Sequence, residues 1–230
     1  MSVIRPNWKQ APREVRALIT TRVTGNLATH VGDPEAALGN RARLAKAYSL
    51  PRDPVWLEQV HGNDVYVANE GPSPVSPPEA DASFTAEYNR PLAVLVADCL
   101  PVLLASPDEV AVVHAGWRGL AKGVIGRTVA KFRNREICAW LGPSIGPCHY
   151  EVDEAVRSAF DGVVGFSSAG PGHYMMDLPA IARAQLADAG VYKVDGSRVC
   201  TQCDGQFFSH RRNAEAARFA AIIWRDGGIF

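Results

Sequence analysis

The sequence contains no apolar run near the roughly 20 residues that a membrane-spanning helix requires, so no membrane partner is expected. Its opening residues, MSVIRPNWKQAPREV, hold no apolar core of a secretory signal, and the expected setting is cytoplasmic. Net charge is absent too, because 24 Lys and Arg offset 24 Asp and Glu. That balance excludes the basic field of a nucleic-acid binder and the acidic tail of a solvating chain. Five cysteines, an odd number, are scattered at positions 99, 138, 148, 200 and 203. They do not read as a disulfide framework. There is no internal repeat, no dinucleotide fingerprint and no phosphate-loop lysine. Histidine is scarce, with six in 230 residues, which leaves little material for a centre needing many imidazoles.

What is present is the composition of an ordinary globular domain: 47% hydrophobic and 21% charged. The expectation is one α/β domain over 1–230, with packed mixed β-sheets flanked by helices. Strands are expected at Arg16–Arg22, Asp64–Ala68, Leu92–Ala97, Pro101–Ala105, Val110–His114 and Ile137–Leu141. Asp33 followed by Pro34 predicts a helix start, running to about Leu50. Helices are also predicted over Leu120–Phe132, Asp153–Phe160 and Leu178–Ala189, the last stopped by Gly190, and over Asn213–Trp224. Glu70–Pro78, with four prolines, reads as an exposed loop.

Rare residues gather at the ends of strands. Gln59-Val-His61-Gly, Ala97-Asp98-Cys99-Leu-Pro and His114-Ala-Gly116-Trp117-Arg118-Gly119 stand out. In open α/β sheets the carboxyl ends of strands share a crevice, so His61, Cys99 and His114 can converge there. Two imidazoles and a thiolate suit zinc, with copper a second choice. Their separations of 38 and 15 residues match no short zinc signature, however. Each residue alone also fits a plain structural role.

Asp98, beside Cys99, is a candidate base or a partner for backbone N–H groups. Read as a strand residue, it points to the face opposite Cys99. The turn from His114 to Gly119 can present N–H groups to an anion, with Arg118 as a forked cation. It reads equally as a tight connection. Cys200-Thr-Gln-Cys203 is a lone CxxC without the second pair of a structural zinc site, and a non-catalytic pair is the simpler reading. Cys148 and His149 read as part of a plain turn. Phe207-Phe208-Ser-His-Arg211-Arg212 either stacks a base and holds phosphate or is a core aromatic pair with surface arginines.

The motifs QVHG, ADCLPVLL, VVHAGWRGL, LGPSIGPCHYEV and FFSHRR, in this order, resemble those of the YfiH-like laccase-domain family, also called multicopper polyphenol oxidase-like. TTR at 20–22, HVGD at 30–33 and NR at 40–41 extend the resemblance over nearly the whole chain. It implies a metal site of His61, Cys99 and His114 holding zinc, or copper. It also implies purine nucleoside phosphorolysis, including that of methylthioadenosine, and adenosine deamination. Older and branch labels imply copper-dependent phenol oxidation, or a peptidoglycan-precursor editing hydrolase with Cys99 as nucleophile or ligand. The expected catalytic residues are Asp98, Arg22 and Arg118. Substrate and phosphate are expected on Arg22, Gly116, Arg118, Gly119, Phe208 and Arg211. The expected partners are small molecules, a purine nucleoside and phosphate, with the chain a monomer or small homo-oligomer. Two departures bear on substrate preference: a short Val23–Leu27 stretch after TTR, and Ala216-Ala217-Arg218 where the family pattern has Thr-Gly-Arg.

Overall fold

The structure, a computed structural model, describes residues 2–68, 74, 76–162 and 164–228. In chain order come β1 (Val3–Ile4), β2 (Val15–Thr20), α1 (Pro34–Ala47), β3 (Val65–Val67), β4 (Ala82–Thr85), β5 (Leu92–Val96), β6 (Leu100–Ala105) and β7 (Val110–Ala115). Then follow α2 (Trp117–Ala121), α3 (Val124–Val129), β8 (Cys138–Leu141), β9 (Glu151–Asp153) and α4 (Glu154–Arg157). The chain ends through β10 (Phe166–Gly170), β11 (His173–Met176), α5 (Leu178–Asp188), β12 (Lys193–Gly196), α6 (His210–Asn213) and β13 (Phe219–Arg225).

Two sheets, the first antiparallel and the second mixed, pack face to face. One has the order β1-β2-β13-β5 and the other β12-β8-β6-β7-β4-β3. The period of two along each strand sorts side chains between layers. Val110 and Val112 of β7 join Val94 and Val96 of β5 and Phe219, Ala221 and Ile223 of β13 in the core between the sheets. Ala111, Val113 and Ala115 face the other way, onto Leu120, Val124 and Ile125 and onto Ile181 and Leu186 of α5. On the outer face of the first sheet, Leu18, Ala220, Ile222 and Trp224 pack with Leu44 of α1. The result is four layers: helix, sheet, sheet, helices. A small antiparallel sheet, β10-β11-β9, stands beside them.

The starts of α1 and α5 follow their letters. Asp33 accepts the Glu35 N–H and Asp177 accepts the Ala180 N–H, each with proline in the first turn. The expected helix at Leu120–Phe132 is divided, because Gly123 takes φ +75° between α2 and α3. The helix expected over Asn213–Trp224 is a correction. Only His210–Asn213 is helical, and Phe219–Arg225 is a strand central to its sheet. Ala216, Phe219, Ala220 and Ile223 have helical spacing by coincidence. All seven residues of β13 are buried, so a strand covered on both faces gains more than a helix with one dry face. Of the proline-rich loop, residues 70–73 and 75 lie outside the described residues. Among the described residues, no helix is long and apolar enough to cross a membrane.

Candidate metal centre and active site

His61, Cys99 and His114 come together. One ligand atom from each lies within 4.8 Å of the others, and the two imidazole rings stand edge to face with centroids 4.9 Å apart. Cys99 sits in the bend between β5 and β6, His114 near the end of β7, and His61 on the loop before β3. The crevice at the strand ends is therefore real, and the 38- and 15-residue separations are bridged by sheet topology.

The group that organises the centre is Asp81, which the sequence reading did not single out. It is fully buried just before β4. Its Oδ1 accepts the His61 N–H at 3.0 Å and faces His114 Nδ1 at 2.8 Å. Its Oδ2 accepts the Gly62 N–H at 2.6 Å and the Val60 N–H at 3.2 Å. Burial works to raise its pKa, but the hydrogen bond and charge of His114 and the backbone N–H groups hold it below the usual carboxylate range. An ionised Asp81 makes Nδ1–H of His114 the donor, which leaves Nε2 free to ligate. Three consecutive N–H groups closing on one carboxylate also explain how His61 keeps a left-handed φ of +57°, a conformation costing about 1–3 kcal/mol for a non-glycine residue.

Burial would raise the Cys99 thiol, yet His114 and His61 bring it down to about 6. Burial would lower His114, yet the charge of Cys99 and the hydrogen bond to Asp81 push it up to about 9. Cys138 shows the opposite case: burial pushes it up to about 11, and it is a core residue of the inter-sheet layer. Two imidazoles and a thiolate, with a carboxylate behind one imidazole, fit a zinc centre keeping one open position.

The centre opens onto a cavity of about 320 Å³. Its wall includes His61, Cys99, Trp117, Tyr150, Arg118, Arg211 and Arg218. A smaller space of about 100 Å³ shares His61, Ala97, Cys99 and Arg218 with it and adds His114, Gln59 and His30. Arg118 lies 4.4 Å over the Trp117 ring and Arg211 5.0 Å over the Tyr150 ring. Burial and the negative charge of Cys99 raise the Tyr150 phenol, so it stays protonated. Arg218 donates to the carbonyls of Glu215, Ala216 and Ala217. Backbone groups thus position this arginine without the hydroxyl missing at Ala216.

The other expected site residues divide. Asp98 borders the cavity, but it is not a strand residue facing away from Cys99. It occupies the β5–β6 bend with φ +86°. Its Oδ1 accepts from the Thr201 hydroxyl at 2.6 Å and its Oδ2 from the Arg211 N–H at 2.7 Å. Gly116 lies against the centre: a Cβ there would stand 2.9 Å from Cys99 Sγ and 3.3 Å from His61 Cδ2. Gly116→Ala is expected to weaken zinc binding about 10-fold or more with secondary structure unchanged, as read by zinc titration and circular dichroism. Gly119 is buried in the first turn of α2, where a Cβ would stand 3.0 Å from the Gly62 carbonyl, so its smallness allows this close packing.

Arg22 and Phe208 are not in the wall of this cavity. The Arg22 guanidinium grips both Glu215 oxygens at 2.8 and 2.7 Å and lies 4.7 Å over the Phe208 ring. Phe207 and Phe208 are the core aromatic pair. Tyr150 and Arg218 were legible only as members of motifs. Nothing in their spacing showed which side of a turn they face.

Fold and site together define an α/β protein with a His2Cys donor set at a strand-end cleft lined by arginines and aromatics. The chain belongs to the multi-copper polyphenol oxidoreductase laccase family, which matches residues 20–226. It is 42% identical over 241 residues to the purine nucleoside phosphorylase YfiH of Escherichia coli (strain K12), covering 96% of this chain and 98% of that protein. It is 45% identical over 216 residues to a purine nucleoside phosphorylase of Xylella fastidiosa (strain 9a5c), covering 87% and 83%. The crystal structure of Neisseria meningitidis protein NMB0706 superposes with a TM-score of 0.92 at 38% identity, over 99% of this chain and 100% of that one. YlmD from Geobacillus stearothermophilus superposes at 0.90 with 31% identity, over 98% and 97%.

Proposed function

We propose that this chain is a zinc-dependent purine nucleoside phosphorylase that also cleaves methylthioadenosine and deaminates adenosine at the same site. The observation that carries this reading is the cavity itself. It joins a His2Cys donor set to three guanidiniums and two aromatic side chains. The names of the relatives at about 40% identity support the same reading.

Zinc held by His61, Cys99 and His114 would supply Lewis acidity toward a substrate oxygen or water. The chain's own groups do the rest. Arg118, Arg211 and Arg218 hold phosphate, with Arg118 and Arg211 braced on aromatic rings. Trp117 and Tyr150 offer surfaces for the purine. In phosphorolysis a phosphate oxygen bonds to C1′ while the C1′–N9 bond breaks. The purine leaves with the electron pair and takes up one proton, giving the free base and ribose 1-phosphate. Tyr150, which keeps its proton, can donate a hydrogen bond to the departing base. Asp98 fixes the Arg211 backbone on one side and Thr201 on the other, so its contribution is positioning. In deamination, water adds at C6 and ammonia departs.

Phenol oxidation of the multicopper kind finds little support, since only His61, His114 and His149 belong to donor clusters among the described residues. A second reading rests on the Cys99–His114 contact: a thiolate beside an imidazole is also the arrangement of a nucleophilic hydrolase. Release of an amino acid from a peptidoglycan precursor, without any phosphorolysis, would favour it.

The test is zinc-loaded protein with inosine or adenosine and phosphate. Ribose 1-phosphate and free base are expected, with inosine from adenosine when phosphate is left out. No product from either nucleoside would refute the proposal. Arg118→Ala is expected to raise the KM for phosphate about 10-fold or more, the loss of one charge-assisted contact, while the KM for nucleoside moves less.

A further inference from the structure

Four donors stand together outside the active-site cavity. Cys148 and His149 follow the turn after β8, and Cys200 and Cys203 are the CxxC before α6. Cys148 Sγ lies 3.8 Å from Cys203 Sγ. His149 Nδ1 lies 3.2 Å from Cys148 Sγ, 3.3 Å from Cys203 Sγ and 4.0 Å from Cys200 Sγ. All four ligand atoms fall within 4.8 Å of one another. Zinc–sulfur bonds of about 2.3 Å and zinc–nitrogen bonds of about 2.0–2.1 Å in a tetrahedron place their donors about 3.5–3.8 Å apart, and the observed sulfur–sulfur distance of 3.8 Å and sulfur–nitrogen distances of 3.2, 3.3 and 4.0 Å bracket that spacing.

We propose that Cys148, His149, Cys200 and Cys203 form a second, structural Cys3His zinc site. The missing second pair of the CxxC is Cys148-His149, supplied by a turn more than 50 residues away. The donor set is soft and complete, with no position left open, which is the mark of a structural and not a catalytic zinc. A disulfide does not match this geometry, because the Cys148 and Cys203 sulfurs stand 3.8 Å apart, well beyond the bond length of about 2.05 Å.

The surroundings are built for close approach. The Gly146 N–H donates to Cys200 Sγ at 3.2 Å, and a Cβ on Gly146 would stand 3.3 Å from Cys200 Cβ and 3.4 Å from Cys148 Sγ. The Thr201 N–H donates to the Ser144 carbonyl at 3.0 Å, which already pairs the two strands of chain. Each strand also reaches the cavity: Ile145 and Tyr150 stand in its wall, and Thr201 bonds Asp98. A zinc there pins two wall segments to each other and keeps Tyr150 and Arg211 in register.

The experiment is zinc content of reduced, purified protein by mass spectrometry. The expected values are two equivalents per chain for wild type, one for Cys148→Ser/Cys203→Ser, one for Cys99→Ser and none for the triple variant. Cys148 and Cys203 are exposed, so serine there leaves the core intact. Equal zinc in wild type and the Cys148→Ser/Cys203→Ser variant overturns the proposal. If the His61–Cys99–His114 centre failed to bind, Cys99→Ser would change nothing, while the double variant would still lose its equivalent. Cobalt added to metal-free Cys99→Ser gives a second readout. Intense sulfur-to-cobalt charge transfer and tetrahedral bands are expected, both lost in the triple variant. Their absence contradicts the site.

Discussion

Serine in place of Cys99 is expected to remove one zinc per chain and to cut phosphorolysis by more than 100-fold. The chemistry of the donor decides this. The thiol is brought down to about 6 by His114 and His61, so it is available as a thiolate near neutral pH. A serine hydroxyl in the same place stays protonated and is a poor ligand for zinc. Even removal of a group behind a ligand typically costs about 10–100-fold in metal affinity, and losing one of three ligands costs more. Cys99 is half-buried at the margin of the inter-sheet core, and serine differs from it only in the hetero atom, so the fold survives the exchange. Retention of the melting temperature together with loss of the metal separates this from unfolding.

Asp81→Asn is the second large effect, and it falls on stability as well as on metal. Each carboxylate oxygen accepts two donors: His61 N–H and His114 Nδ1–H on Oδ1, Gly62 N–H and Val60 N–H on Oδ2. Whichever way an asparagine amide turns, its NH2 faces two groups that themselves donate. If it faces His114, the imidazole can accommodate it only by carrying its proton on Nε2, the atom needed for the metal. Removing one partner of a buried charged pair costs about 3–5 kcal/mol. For a chain of this length that is a fall in Tm on the order of 10 °C, read by calorimetry. Zinc affinity is expected to drop about 10–100-fold as well. An unchanged Tm and unchanged zinc titration would show that Asp81 does not organise the turn carrying His61.

The sequence made the strands at Leu92–Val96 and Val110–Ala115 legible because their apolar runs are too short for a helix and too long for a turn. Helix α1 was legible through its Asp-Pro start. The terminal strand was not, since alanines and large apolar residues in a row fit either period until the burial of both faces is known. The same limit applied at the site. His61, Cys99 and His114 announced themselves as rare residues at strand ends. Asp81 did not, because a single acid between alanines carries no pattern, and its importance lies in four donors that only the fold assembles. Arg22 and Phe208 belong to conspicuous motifs, yet Glu215 holds the first and the inter-sheet core holds the second. Cys148 and His149 looked like turn residues because their partners lie far along the chain.

The most direct measurement is zinc content and ribose 1-phosphate release followed on the same preparations of wild type and Cys99→Ser. The His2Cys centre predicts that one zinc equivalent and the phosphate-dependent cleavage of inosine disappear together. A Cys99→Ser protein that keeps its full zinc and still turns over inosine would contradict it.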